Sequence, residues 1–207
     1  MIKDLFKQVI IEQKVYGEGI VTLKSGIESD YYYDFGQLCD AECLAIMGLT
    51  MNEIIIEHGL ENEITCFFTS AYKGIAITIA LLMVNAVELS KTKTHNIKMG
   101  YLRKEKKTHG DGKLTIGHVP TETDTVLLID DVFTSGYSIM EMVKFLEPTE
   151  CKLAGVIVLI NREIEPGRVA KISENIGAPI YCAVTHDEIQ AFIAAEKQQQ
   201  PGEDAKI

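Results

Sequence analysis

From residue 64 to residue 197, short apolar runs rich in β-forming residues alternate with longer runs whose apolar positions recur every three or four residues. ITCFFTS (64–70) precedes GIAITIALLMV (74–84), and the weaker strand pattern NIKMGYL follows at 96–102. TVLLID (125–130) leads into SIMEMVKFLE (138–147), and KLAGVIVLI (152–160) into RVAKISENIG (168–177). PIYCAV (179–184) and HDEIQAFIAAEK (186–197) repeat the order once more. This alternation predicts an α/β fold with a mostly parallel central sheet flanked by helices. The strand patterns are apolar nearly throughout, so the sheet is expected to be covered on both faces.

Two regions break the rhythm. Residues 17–37, GEGIVTLKSGIESDYYYDFGQ, read as short strands and turns before a helix that starts near Ala41. Together with an amphipathic helix carrying Ile2, Leu5, Phe6, Val9 and Ile10, they predict a small hood-like N-terminal appendage over residues 1–40. Residues 41–196 then form the core, and the polar, Pro- and Gly-bearing tail at 197–207 is expected to fray. Residues 103–121, RKEKKTHGDGKLTIGHVPT, are charged, glycine-bearing and without clear period, as in a mobile functional loop.

Bulk properties narrow the functional classes. A net charge of −10 and a pI near 5.0 argue against a nucleic-acid partner, which calls for a basic face. No apolar stretch reaches the roughly 18 residues of a membrane span. Acids among the first apolar residues argue against a signal peptide, so a cytoplasmic protein is expected. The five cysteines are odd in number and scattered, which suits structural thiols in a reducing compartment. Cys39 and Cys43 have helical spacing but no matching Cys/His pair for a metal.

The chemistry concentrates in LLIDDVFTSGYS (127–138). Strand-end positions are where ligands bind in open α/β sheets, and Asp130 and Asp131 fall there. The following turn offers helix-start amides, the hydroxyls of Thr134, Ser135 and Ser138, and Gly136 for a positive φ, which together suit a phosphate. Two carboxylates beside a phosphate site call for a ligand that is anionic at one end and offers hydroxyl donors at the other. Ribose 5-phosphate has that polarity, and positive charge developing at C1 as its bond breaks would be stabilised by the acids. Receiver domains and Mg²⁺-dependent phosphatases also carry strand-end acid pairs. The Walker pattern is absent.

The stretch resembles the PRPP-binding motif of type I phosphoribosyltransferases, with Ser138 in place of the more usual threonine. LKSGIESDYYYD (23–34), AYKGI (71–75), RKEKKTHGDG (103–112) and NRE (161–163) extend the resemblance, in order, to the orotate phosphoribosyltransferase family. Where that family usually has a glycine-containing turn, this chain has Thr69 and Ser70 before Ala71.

The resemblance implies transfer of ribose 5-phosphate from PRPP to N1 of orotate, giving orotidine 5-phosphate and pyrophosphate for pyrimidine synthesis. It implies PRPP contacts from Tyr72, Lys73, Arg103, Lys104, Lys107 and His109, and from Asp130, Asp131, Val132, Phe133, Thr134, Ser135, Gly136, Tyr137 and Ser138. Lys107, Asp130 and Asp131 would act in catalysis. Lys24, Tyr32, Tyr33, Thr134 and Arg162 would hold orotate, a flat carboxylated ring that needs a cation, donors and a wall. Mg²⁺ would be held mainly by PRPP and water, with no direct protein ligand. A homodimer with shared active sites is implied as well. A PRPP-sensing regulator and a transferase for another base are the alternatives.

Overall fold

A computed structural model describes residues 1–22, 26, 28–38, 40–92, 96–105, 114–162 and 165–199, with the side chains of 88–92 and 199 excepted. The expected 197–207 tail lies mostly outside them. Helix α1 (Ile2–Glu12) buries Phe6, Val9 and Ile10, the stripe seen in the sequence. Strands β1 (Tyr16–Thr22) and β2 (Glu28–Tyr33) pair antiparallel, with Tyr16 opposite Tyr33, as a two-stranded sheet separate from the main one. A 3-10 turn at Phe35–Gln37 leads into α2 (Ala41–Glu57), which Asp40 caps by accepting from the Cys43 amide at 2.8 Å.

The core continues through β3 (Cys66–Ser70), α3 (Lys73–Thr92), β4 (Lys98–Leu102), β5 (Thr115–Gly117), β6 (Thr125–Phe133) and α4 (Tyr137–Leu146). It ends with β7 (Lys152–Asn161), α5 (Arg168–Ile176), β8 (Ile180–Thr185) and α6 (His186–Gln199). The six-stranded sheet has the order β5-β4-β3-β6-β7-β8. Its pairs are parallel except β4 with β5. The expected class, a mostly parallel sheet between helices, is what forms.

Alternation along the strands divides the core in two. Phe67, Leu127, Ile129, Ile157 and Leu159 face α1, α2 and α3, where Phe6, Met47, Met51, Ile54, Ile77 and Leu81 meet them. Phe68, Val126, Leu128, Val156 and Val158 face the other way, onto Ile139, Met142 and Leu146 of α4 and Ile172 of α5. Each such side chain contributes about 1.5–3 kcal/mol by leaving water, so both strand faces are anchored. None of the four described cysteines is in a disulfide. No helix of the described residues is long and apolar enough to cross a membrane.

Three boundaries differ from the sequence expectation. β6 continues past Asp130 to Phe133, so the acids lie within the strand rather than at its very end. Its partner β7 supplies the reason, since Val132 and Phe133 pair with Ile160 and Asn161. α3 runs to Thr92 rather than Val84, because NAVELSKT contains no helix breaker although its apolar run has ended. The 103–121 segment is not wholly loop, because Thr115–Gly117 form β5 on the edge of the sheet. Three residues are too few to show a period.

Candidate active site

The C-terminal ends of β3, β6 and β7 converge beneath the hood on a cavity of about 410 Å³. Asp130 and Asp131 lie along its floor. Asp130 is 6% exposed. Its Oδ1 accepts from the Asp131 amide at 3.1 Å, and its Oδ2 accepts from the Ser138 hydroxyl. Asp131 Oδ1 accepts from the Val132 amide at 3.0 Å. Burial, and next the charge of Asp131, push the Asp130 carboxyl up to about 7. Asp130 therefore retains its proton well above the usual carboxylate range.

Beyond the acids the chain turns into α4. Gly136 takes φ +76° at the helix start, where no side chain caps the first amides. Those amides and the Thr134 and Ser135 residues border the cavity as an anion-binding end. A Cβ on Gly136 would meet Ile172 Cγ1 at 3.0 Å and Phe133 Cε2 at 3.2 Å, so the turn is also closely packed from below. The Phe133 side chain is 1% exposed and belongs to that packing. Any contact that Phe133 makes with a ligand is therefore left to its backbone. Arg168, which carries no motif signal, braces the turn by donating from Nε to Ser135 O at 3.0 Å.

Tyr72 and Lys73 stand at the mouth, at the start of α3. Lys73 Nζ is 2.7 Å from Asp34 Oδ1. Lys73 first, then Gln37, hold the Asp34 carboxyl down at about 2. Lys104 Nζ lies 4.7 Å above the Tyr72 ring, a cation–π contact. Thr69, where the family usually has a glycine-containing turn, is fully buried and donates to Ile129 O at 2.8 Å. Gly74 leaves the space its hydroxyl needs. Arg103 is not brought into this cavity and instead lines an adjoining one with Leu114, Met140 and Phe145. Lys24, Lys107 and His109 lie outside the described residues.

Arg162 follows β7 and is 3% exposed, no solvated surface charge. Its Nη2 donates to Tyr31 O at 2.7 Å and to Ser29 Oγ, and Cζ lies 4.1 Å from the Tyr31 ring centre. Its Nε is buried without a hydrogen-bond partner among the described residues. A buried guanidinium that borders the cavity favours an incoming planar anion. Tyr32 and Tyr33 line the same cavity from the hood. Tyr33 Oη is 2.8 Å from His186 Nδ1.

The cavity thus joins, within one space, an acid pair, an open helix start and a buried cation. Orotate phosphoribosyltransferase of Schizosaccharomyces pombe is 32% identical over 192 residues, covering 90% of this chain and 86% of that protein. The chain belongs to the orotate phosphoribosyltransferase family. The Acinetobacter baumannii member is 30% identical over 199 residues, covering 94% of this chain and 88% of its own. The solved Francisella tularensis member superposes with a TM-score of 0.70 at 25% identity, over 97% of this chain and 93% of that one. The fold is that of the type I phosphoribosyltransferases. No protein-family model matches the chain.

Within this family framework, the sequence missed Asp34, Tyr31, Arg168 and His186 as parts of the site. Asp34 had a signal, since it closes the quoted DYYYD run opposite a lysine-bearing turn. His186 and Arg168 had none, because only the sheet brings them beside residues 153 and 33 positions away.

Proposed function

We propose that the chain transfers ribose 5-phosphate from PRPP to N1 of orotate, releasing pyrophosphate and orotidine 5-phosphate in UMP synthesis. The observation that carries this is the meeting of Asp130 and Asp131, the open start of α4 and the buried guanidinium of Arg162 in one cavity. The 5-phosphate enters the 134–138 turn, where main-chain amides with the Thr134 and Ser135 hydroxyls receive it. The ribose hydroxyls then donate to Asp130 and Asp131. As the C1 bond to pyrophosphate lengthens, the ring gains positive charge, and the ionised acids stabilise it.

Orotate lies against the hood, with its carboxylate toward Arg162 and its ring against Tyr32 and Tyr33, and Lys24 adds charge. Thr134 can contribute a hydroxyl to the base. Tyr72 and Lys73 receive the pyrophosphate. Arg103, Lys104, Lys107 and His109 belong to the segment that closes over it and excludes water from the cationic sugar. Lys104 already stands at the cavity wall, in keeping with this role.

Among the described residues no group of three or more His, Cys, Asp or Glu forms a metal cage. The donors at the floor, two adjacent carboxylates one of which is partly exposed, suit Mg²⁺ carried in by PRPP and reached through water. When bound, the ion neutralises pyrophosphate charge.

A homodimer with shared sites accords with the apolar face of α2 and α3, where Leu44, Leu49, Ile79 and Met83 line a groove of about 710 Å³. A cytoplasmic setting suits substrates that are soluble metabolites. Orotate consumption with PRPP and Mg²⁺, run beside adenine, hypoxanthine and uracil, tests the activity. Turnover of another base with orotate untouched would overturn it. Mixing Lys107→Ala and Asp131→Asn subunits tests sharing, because a mixed dimer keeps one intact site and random mixing restores about a quarter of full activity. No recovery would refute shared sites.

A further inference from the structure

We infer that His186 is a positioning residue for the base pocket, acting on Arg162 through the ring of Tyr31. The hood is a two-stranded sheet, too small to fix its own position over the cavity. Its placement depends on what it packs against. Tyr31 and Tyr33 lie two residues apart on β2 and share one face of it. Both meet His186, the first residue of α6, directly after the buried strand β8.

Two contacts do this. The His186 ring stacks on Tyr31 with centroids 4.0 Å apart and planes 11° from parallel. Its Nδ1 lies 2.8 Å from Tyr33 Oη. Arg162 Cζ is 4.1 Å from the same Tyr31 centroid, and two groups that close must take opposite faces of the ring. Tyr31 is therefore clasped between Arg162 and His186. Arg162 Nη2 also donates to the Tyr31 carbonyl, so the ring and the backbone of one residue together set the guanidinium plane. Tyr16 closes the cluster, with centroids 5.6 Å from Tyr33 and 6.2 Å from His186.

Histidine suits both contacts at once. Phenylalanine would stack but offers no acceptor, and asparagine places an oxygen near Nδ1 but cannot stack. Burial, the largest influence on the His186 ring, lowers its pKa and so favours the neutral form, which in its Nε2–H tautomer accepts at Nδ1 from the Tyr33 hydroxyl. Without the ring, Tyr31 loses one wall, and Arg162, which lines the cavity, loses the fixed plane it stacks against. The phosphate end, at α4, is built from other residues. The effect should therefore fall on orotate and spare PRPP.

This inference rests on the proposed transferase activity. Steady-state rates are measured with orotate and PRPP varied separately for wild type and for the His186→Ala, His186→Phe, His186→Asn and Tyr33→Phe variants, each with a thermal melt. His186→Ala should raise KM for orotate about tenfold or more, the scale of one aromatic contact and one buried hydrogen bond lost together. KM for PRPP should stay within about twofold, and His186→Phe and His186→Asn should each recover part of the loss. Tyr33→Phe should cost little further in the His186→Ala background. Unchanged orotate KM in a folded His186→Ala variant, or equal rises in both KM values, overturns the inference. If His186→Ala lacks a cooperative melt, His186→Phe and Tyr33→Phe decide by the same two KM values. A wild type that consumes no orotate fails the underlying activity, whereas an active wild type with unmoved variants fails this inference alone.

Discussion

Lys73 Nζ and Asp34 Oδ1, 2.7 Å apart, tie the first turn of α3 to the foot of the hood. The cation assigned to pyrophosphate is thus held by an anion of the same chain, and ligand must compete for it. Both side chains are more than a third exposed, so the pair is worth on the order of 1 kcal/mol or less. Asp34→Asn should lower stability by that amount near pH 7, and the difference should shrink in high salt. The Asp34 carboxyl is lowered to about 2 from 3.8, so its contribution is present above about 4 and is lost as pH falls through about 2. Denaturant melts of both proteins at several pH values check this. A gap that stays constant below pH 4 would contradict it.

Asp130 behaves in the opposite sense. Its carboxyl is raised from 3.8 to about 7, so the folded state retains a proton that the unfolded chain gives up. That contribution to stability is complete below about 4 and is lost as pH rises through about 7. Asp130→Asn never ionises, so its melting temperature relative to wild type should climb between pH 5 and 8 while turnover collapses. In wild type, kcat/KM for PRPP should fall on the acid side of about 7, after allowance for the substrate's own phosphate ionisation. A flat profile there would remove the ionised pair from the chemistry.

Arg162 offers a shape test. Lysine keeps the charge but has no planar fork to engage Tyr31 O, Ser29 and a carboxylate together. Arg162→Lys should reduce kcat/KM for orotate by about 10²-fold, with a smaller change for PRPP. Calorimetric titration with orotate gives the same comparison without turnover. Intact affinity would exclude the carboxylate role.

Lys107 is assigned to the closing segment. If it stabilises leaving-group charge, Lys107→Ala should lower kcat by roughly 10²-fold at saturating PRPP. Unchanged turnover would take that lysine out of the mechanism.

Much of this protein is visible in single stretches of chain. The run TVLLID reads as a buried strand because it is apolar on both alternate faces, and the small residues after the acids suit a turn into a helix. Phe133 shows the limit of such reading, because its neighbours in the motif border the cavity while its own ring supports Gly136 from beneath. The strand β5 stayed hidden because its three residues gain their conformation from pairing with β4.

Local pattern sufficed for the sheet-and-helix order and for the turn from β6 into α4, since strand burial, helix periodicity and turn chemistry act over a few neighbouring residues. Tertiary structure alone decided that Lys73 meets Asp34, that Arg162 is buried against Tyr31, and that His186 stands behind Tyr31. Those partners are 39 to 155 positions apart, and only a parallel sheet that returns each strand end to the same edge brings them within bonding distance.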